Sequence, residues 1–210
     1  MKYRLSQIAA ITGGRLLGED LECRSIATDS RSLGCELGTA PLFVAMHGQN
    51  HDSHDFVADV AQRGVKAFLV EREVALAEGQ GAVVVRSAIE ALQQLAAYHR
   101  ALFHGTVVGI TGSNGKTVIK EWIAEGLPSE VKFYRSPKSY NSQLGVPLSV
   151  LMLEGDEELA LFEAGISEMG EMERLERIIR PDVVVFTSLG DAHQEHFADL
   201  EQKAREKLVL

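Results

Sequence analysis

The chain has 210 residues, 45% of them apolar and 24% charged, with a formal net charge of −9. That is enough for one large globular domain or two small ones. The acidic balance argues against a general nucleic-acid partner, and no apolar run suits membrane insertion or a secretory signal. The two cysteines, Cys23 and Cys35, have no metal-ligand spacing and read as reduced thiols of a cytoplasmic protein.

Residues 5–18 read as a short helix, with Ser6 as its cap, Ile8 and Ile11 on one face, and Gly13-Gly14 as its stop. A loop-rich stretch containing Thr28-Asp29-Ser30-Arg31 leads to the apolar run Leu42–Met46 and then to a polar segment, Gly48–Asp55. A helix is expected over 55–63, ended by Gly64, followed by short buried strands at Lys66–Val70 and Ala82–Val85. Ser87-Ala88-Ile89-Glu90 is a capping-box signature and opens a helix carrying Ile89, Leu92, Leu95, Ala96 and His99. His99 reads there as a packed core histidine. A domain boundary falls near residue 86, giving domains 1–86 and 87–210.

The second part alternates strand and helix: Thr106–Thr111, 117–127, Leu159–Ala164, 168–179, Asp182–Ser188 and 199–210. Alternation of this kind predicts an α/β fold with a parallel sheet covered by helices, whose ligands collect at the carboxyl ends of the strands. The last helix has Asp199 as cap and Gln202 three residues on, but no stop signal at Leu210, so the chain reads as a fragment cut mid-domain.

Between the first strand and helix of that series lies Gly109-Ile110-Thr111-Gly112-Ser113-Asn114-Gly115-Lys116-Thr117. Glycines turn backbone N–H groups toward an anion, the helix start adds a partial positive charge, and the lysine adds a full one. The strict P-loop spacing requires Gly at Ile110, so the segment departs from it by one residue. After the loop, Val118, Ile119, Trp122, Ile123 and Leu127 share one helical face.

Thr117 is placed to ligate Mg²⁺, which the phosphates of ATP require. Glu163 ends an otherwise apolar strand, where a carboxylate is costly unless paired or metal-bound; the alternative is an acid at a solvated strand end. His193 and His196 follow a Val-rich strand at a three-residue spacing, but with two acids and no cysteine nearby the zinc reading is weak. Lys207 shares a helical stripe with Leu200, Ala204 and Leu208. By spacing it is a lysine whose stem lies on apolar surface with its head in water; the alternative is an amine that loses its charge.

These motifs resemble the Mur ligases, ATP-dependent amide-forming enzymes of peptidoglycan synthesis. The loop Thr111–Thr117 has that family's offset from the strict P-loop. Asn141-Ser142-Gln143-Leu144-Gly145-Val146-Pro147-Leu148-Ser149, Thr28–Arg31, Leu42–Gly48 and Asp52–Phe56 resemble the branch that joins D-alanyl-D-alanine to UDP-N-acetylmuramoyl-tripeptide. The resemblance runs through all 210 residues and covers the N-terminal domain and the first part of the central domain of such a ligase.

The resemblance implies a small N-terminal α/β substrate-binding domain followed by a truncated P-loop-type ATPase domain. It implies that Gly112, Ser113, Asn114, Gly115, Lys116 and Thr117 hold ATP, with Lys116 on the transferring phosphoryl group. Thr117, Glu163 and His193 would serve Mg²⁺, and Lys207 would match the family's carbamylated lysine. Ser30, Arg31, Asp52, His54 and Asn141 would bind the UDP-muramoyl substrate. Two departures stand out. Residues 32–41 look more like versions fused to an alanine racemase, and Ser53 stands where glycine is common. The rivals are a different Mur-type or folylpolyglutamate-type ligase, or an inactive fragment that only binds UDP-sugar or nucleotide; alone, these residues are expected not to ligate.

Overall fold

The computed structural model describes residues 1–31, 33, 40–48, 52–190 and 197–210. Cys35, His193, His196 and most of the segment 32–41 lie outside the described residues. The chain divides into two units, Met1–Leu95 and Ala96–Leu210. The division falls within a helix rather than at residue 86.

The first unit opens with β1 (Tyr3–Arg4) and α1 (Leu5–Thr12). Helix α1 is shorter than expected. Gly13 takes a left-handed conformation (φ 64°) and stops it, and residues 15–18 form a strand instead. Ser6 is not its cap. Its amide and hydroxyl both donate to Asp20, a distant acid that satisfies the first turn.

The chain continues through β2 (Arg15–Gly18), β3 (Glu22–Cys23), β4 (Ser25–Ala27) and β5 (Pro41–Val44). A 3₁₀ turn (Ser53–Phe56) then runs into α2 (Val57–Gln62), followed by β6 (Ala67–Val70) and β7 (Gly81–Val84). The sheet order is β2-β7-β6-β5-β4, parallel except for the β2–β7 pair. Phe43, Phe68, Val57 and Val60 fill its core. Helix α3 (Ala88–Ala101) leaves this unit; its first amide is capped by Glu71, and the Glu90 amide donates to the Ser87 hydroxyl at 3.4 Å.

The second unit contains β8 (Thr106–Thr111), α4 (Lys116–Gly126), β9 (Phe133–Arg135), α5 (Gly145–Val150) and β10 (Leu159–Glu163). It ends with α6 (Glu171–Ile179), β11 (Val183–Phe186) and α7 (Leu200–Lys207). Strand β9 and helix α5 escaped the periodicity reading because each is only three to six residues long. All pairs in the sheet β11-β8-β10-β9 are parallel. Glu163 is in register with Ile110, and Phe186 with Thr111, so β8, β10 and β11 end at one edge.

Two helical faces differ from expectation. On α4 the side turned to the sheet carries Ile119, Lys120, Ile123 and Ala124, while Val118 and Trp122 are exposed. On α7 the buried residues are Lys203, Glu206 and Lys207, while Leu200 and Leu208 face outward. Charge does not exclude burial where polar partners wait inside. No helix among the described residues is long and apolar enough to cross a membrane.

Phe162 is fully buried and its ring lies 5.7 Å from that of Tyr134, whereas Trp122 is 66% exposed. F162A is therefore expected to cost about 3–5 kcal/mol in urea unfolding, and W122A about 0.5 kcal/mol or less. Equal losses would contradict this orientation of α4.

Candidate functional site

Strand β8 is apolar because both its faces are covered, and it must stop where Gly112 turns. Gly112 has φ 137°, and a Cβ there would sit 2.1 Å from the Thr187 hydroxyl. The turn is therefore closed to any side chain. Gly115 (φ 81°) caps α4 in the left-handed region, with open space around its Cα. The amides of Gly115, Lys116 and Thr117 open the first turn of α4, where N–H groups have no intrahelical partner.

The tail of β11 props this loop. Ser188 O accepts from the Ser113 amide at 2.8 Å, and the Thr187 hydroxyl donates to Asn114 O at 2.6 Å. Ser113 and Gly190 exchange hydrogen bonds at 3.0 and 3.1 Å. Two ammonium groups converge on one carbonyl: Lys116 donates to Gly112 O at 2.9 Å and Lys207 at 3.4 Å. Lys203 reaches Gly190 O, and the Glu206 carboxylate accepts from the Met172 amide at 3.1 Å.

Burial lowers the Lys116 pKa, opposed by Glu163. Lys207 is pushed down to about 8, first by burial and then by the like charges of Lys116 and Lys203.

Glu163 is fully buried, which removes the solvated-end alternative. Its Oε2 accepts from the Thr117 hydroxyl at 3.1 Å and the Asn141 amide at 3.4 Å. Its Oε1 faces Lys120 at 3.0 Å but makes no well-aligned hydrogen bond. Gly165 lets the backbone after β10 approach Asn141, whose carbonyl takes the Gly165 amide at 2.8 Å; a Cβ would meet the Asn141 side chain at 3.1 Å. Lys116, Asn141, Gly165, Glu171 and Lys207 line a cleft of about 240 Å³.

The structure thus brings together Gly112–Thr117, Asn141, Glu163 and Lys207. Lys120, Lys203, Glu206 and Glu171 were not picked out from sequence. Lys120 and Lys203 each stand four residues before or after a recognised lysine, a helical signal that was present but carries no chemistry by itself.

In the first unit, Thr28, Ser30, Arg31, Phe43, Ser53 and Phe56 line a cleft of about 400 Å³. Asp29 is pulled down to about 2 by the Arg31 guanidinium that folds onto it. Asp52 and His54 sit apart from that lining. His54 is buried, with Nδ1 2.6 Å from Asp52 and Nε2 accepting from the Glu71 amide at 2.8 Å. Both ring nitrogens are engaged, so His54 pins the loop and presents no free nitrogen to a ligand.

Fold and loop together define an α/β domain of a form suited to holding phosphate: a parallel sheet, a glycine turn at the carboxyl end of a central strand, and a helix whose first amides stay open. Comparison with known proteins refines this. Residues 110–210 match the Mur ligase middle domain. The chain is 32% identical over its whole length to the UDP-N-acetylmuramoyl-tripeptide--D-alanyl-D-alanine ligase of Bacillus subtilis, covering 46% of that protein. It is 33% identical to the Escherichia coli ligase of the same name over 97% of the chain and 44% of that protein. A MurF structure from Acinetobacter baumannii superposes on the whole chain and 46% of its own, with a TM-score of 0.88 at 29% identity. MurF from Thermotoga maritima, solved in complex with ADP, covers 89% of the chain and 42% of its own, with a TM-score of 0.77 at 32% identity. The chain belongs to the Mur ligase family, and it spans less than half the length of these relatives.

A charged Lys207 destabilises the fold below its native pKa of about 8; the penalty fades as pH rises toward the ordinary 10.5, where the unfolded chain also deprotonates. In nucleotide-free, CO₂-free buffer, K207M is expected to be more stable than wild type by about 1–3 kcal/mol at pH 7. Urea titrations should show this advantage shrinking between pH 8 and pH 10.5. A pH-independent difference would contradict the buried charge.

Proposed function

We propose that this chain forms the substrate- and ATP-binding portion of a cytoplasmic ligase that joins D-alanyl-D-alanine to UDP-N-acetylmuramoyl-tripeptide. The observation that carries the reading is the convergence of Lys116 and Lys207 on the Gly112 carbonyl, beside the Thr117–Glu163 pair. That arrangement suits the terminal phosphate of ATP, and relatives matched along the whole chain bear this activity in their names. The T. maritima relative with ADP supports nucleotide as the ligand.

Magnesium fits the residues present. Glu163 is a fully buried carboxylate whose Oε2 shares one place with the Thr117 hydroxyl, while its Oε1 is turned to Lys120. Among the described residues no three His, Cys, Asp or Glu cluster, which suits an ion that takes one or two carboxylates and completes its shell with phosphate and water. Thr117 and Glu163 would hold it, with His193 serving a second. When bound, it would neutralise charge on the phosphate oxygens.

The chain's own groups then have distinct work. The α4 amides and Lys116 bind and orient the phosphates, favouring in-line transfer to the substrate carboxylate. That transfer releases ADP and leaves an acyl phosphate; the acceptor amine attacks its carbonyl, and the tetrahedral intermediate loses a proton and expels phosphate to give the amide. Asn141, on the cleft wall and on Glu163, would meet the junction of substrate and terminal phosphate. Lys207, with part of its population neutral, is the group suited to take up CO₂ as a carbamate. The first-unit cleft, with Ser30 and Arg31, takes the UDP-muramoyl moiety, and Asp52 and His54 hold its Ser53–Phe56 wall in place.

In the whole enzyme, K116A is expected to lower ATP-dependent ligation at least about 100-fold, with phosphate release following both substrates. Offering D-alanyl-D-alanine, single amino acids and glutamate as acceptors distinguishes this ligase from its relatives. Wild-type turnover by K116A would overturn the assignment.

A further inference from the structure

Lys120 is the largest unexplained charge in the second unit. It is fully buried on α4, one helical turn beyond Lys116. Its ammonium donates to Ser136 O and Lys138 O, both at 2.6 Å, and lies 3.0 Å from Glu163 Oε1. Apart from Glu121, its neighbour on α4 at 3.5 Å, these contacts lie at the carboxyl ends of strands: Ser136 and Lys138 follow β9, and Glu163 ends β10. Lys138 holds a left-handed φ of 50°, a conformation a non-glycine residue keeps only when its surroundings enforce it. The same turn carries Ser139, whose hydroxyl is 3.3 Å from that of Thr117.

A buried lysine is costly, and a packed apolar side chain at this position would serve the core at least as well. What an apolar residue cannot do is divide the two oxygens of Glu163. With Oε1 held against Lys120, Oε2 is turned to the Thr117 hydroxyl and the Asn141 amide. We propose that Lys120 is a positioning residue for the divalent-cation site, fixing Glu163 so that a single oxygen faces the cation and tethering the 136–139 turn beside it. The inference rests on the reading that Glu163 and Thr117 hold that cation. One consequence is that Glu163 meets the ion with a single, partly neutralised oxygen. The ion then enters with the nucleotide, whose phosphates supply the missing charge.

The test is ADP binding to this chain by calorimetry, in magnesium and in EDTA. Wild type should bind ADP more tightly with magnesium. K120M should lose about tenfold or more of that increment, as is usual when a ligand's outer partner is removed, while metal-free ADP binding stays within about twofold. A K120M/E163Q double variant should be no worse than E163Q, and more resistant to heat than K120M, in which Glu163 is left buried without a counter-charge. If K120M does not fold, K120Q, which keeps two donors for the Ser136 and Lys138 carbonyls, carries the same comparison. An unchanged magnesium increment in the lysine variant overturns the inference, as does an equal loss with and without metal. E163Q separates the two readings. A full increment in E163Q overturns the metal assignment itself, whereas loss in E163Q without loss in K120M overturns only the role of Lys120.

Discussion

A loop that turns its N–H groups toward an anion must turn carbonyls inward, and those carbonyls need donors. Most of the second unit's unusual features answer that constraint. Gly112 O takes the ammonium groups of Lys116 and Lys207, and Asn114 O takes the hydroxyls of Thr187 and Ser188. The donors come from three different segments, so the loop's shape depends on α4, α7 and the tail of β11 being in place together. The parallel register of β8 with β10 and β11 brings those segments to one edge.

The same constraint explains why charged residues are buried where periodicity would put apolar ones. Burying an ammonium without partners costs several kcal/mol. Lys120, Lys203 and Lys207 each lie inside, and each finds a backbone carbonyl within hydrogen-bond reach. Helix α7 therefore turns its lysines inward and leaves Leu200 and Leu208 outside. An apolar α7 would gain burial but leave the Gly112 and Gly190 carbonyls with fewer donors.

Elements with a long, clean pattern were legible in the sequence. Strand β8 was read at its observed bounds, and α4, β10, α6 and β11 were placed within a few residues. Strand β2 and the short pair β9 and α5 were not, because three to six residues carry too little periodicity and strand pairing is non-local. The glycine turn into α4 was legible because glycine and lysine types at that spacing are chemically specific. Lys207 was not legible from spacing, since its stripe of Leu200, Ala204 and Leu208 describes a face the structure turns outward; only the family resemblance singled it out. Lys120 escaped both routes. Its importance comes from the ends of β9 and β10, which are 16 and more residues away along the chain.

The two clefts differ in how their charges are held, and that difference has energetic meaning. In the second unit Lys203 and Lys207 are buried and Lys116 is half-buried, each with its ammonium on a backbone carbonyl, so the positive field there is largely preorganised. In the first unit the Arg31 guanidinium is exposed and paired with Asp29. Such a surface pair is worth about 0–1 kcal/mol, so an anionic group can take Arg31 from Asp29 at little cost. Shape must then carry more of the selectivity in that cleft. His54 serves shape, since its two nitrogens tie the Asp52 loop to the end of β6 and fix the wall formed by Ser53 and Phe56.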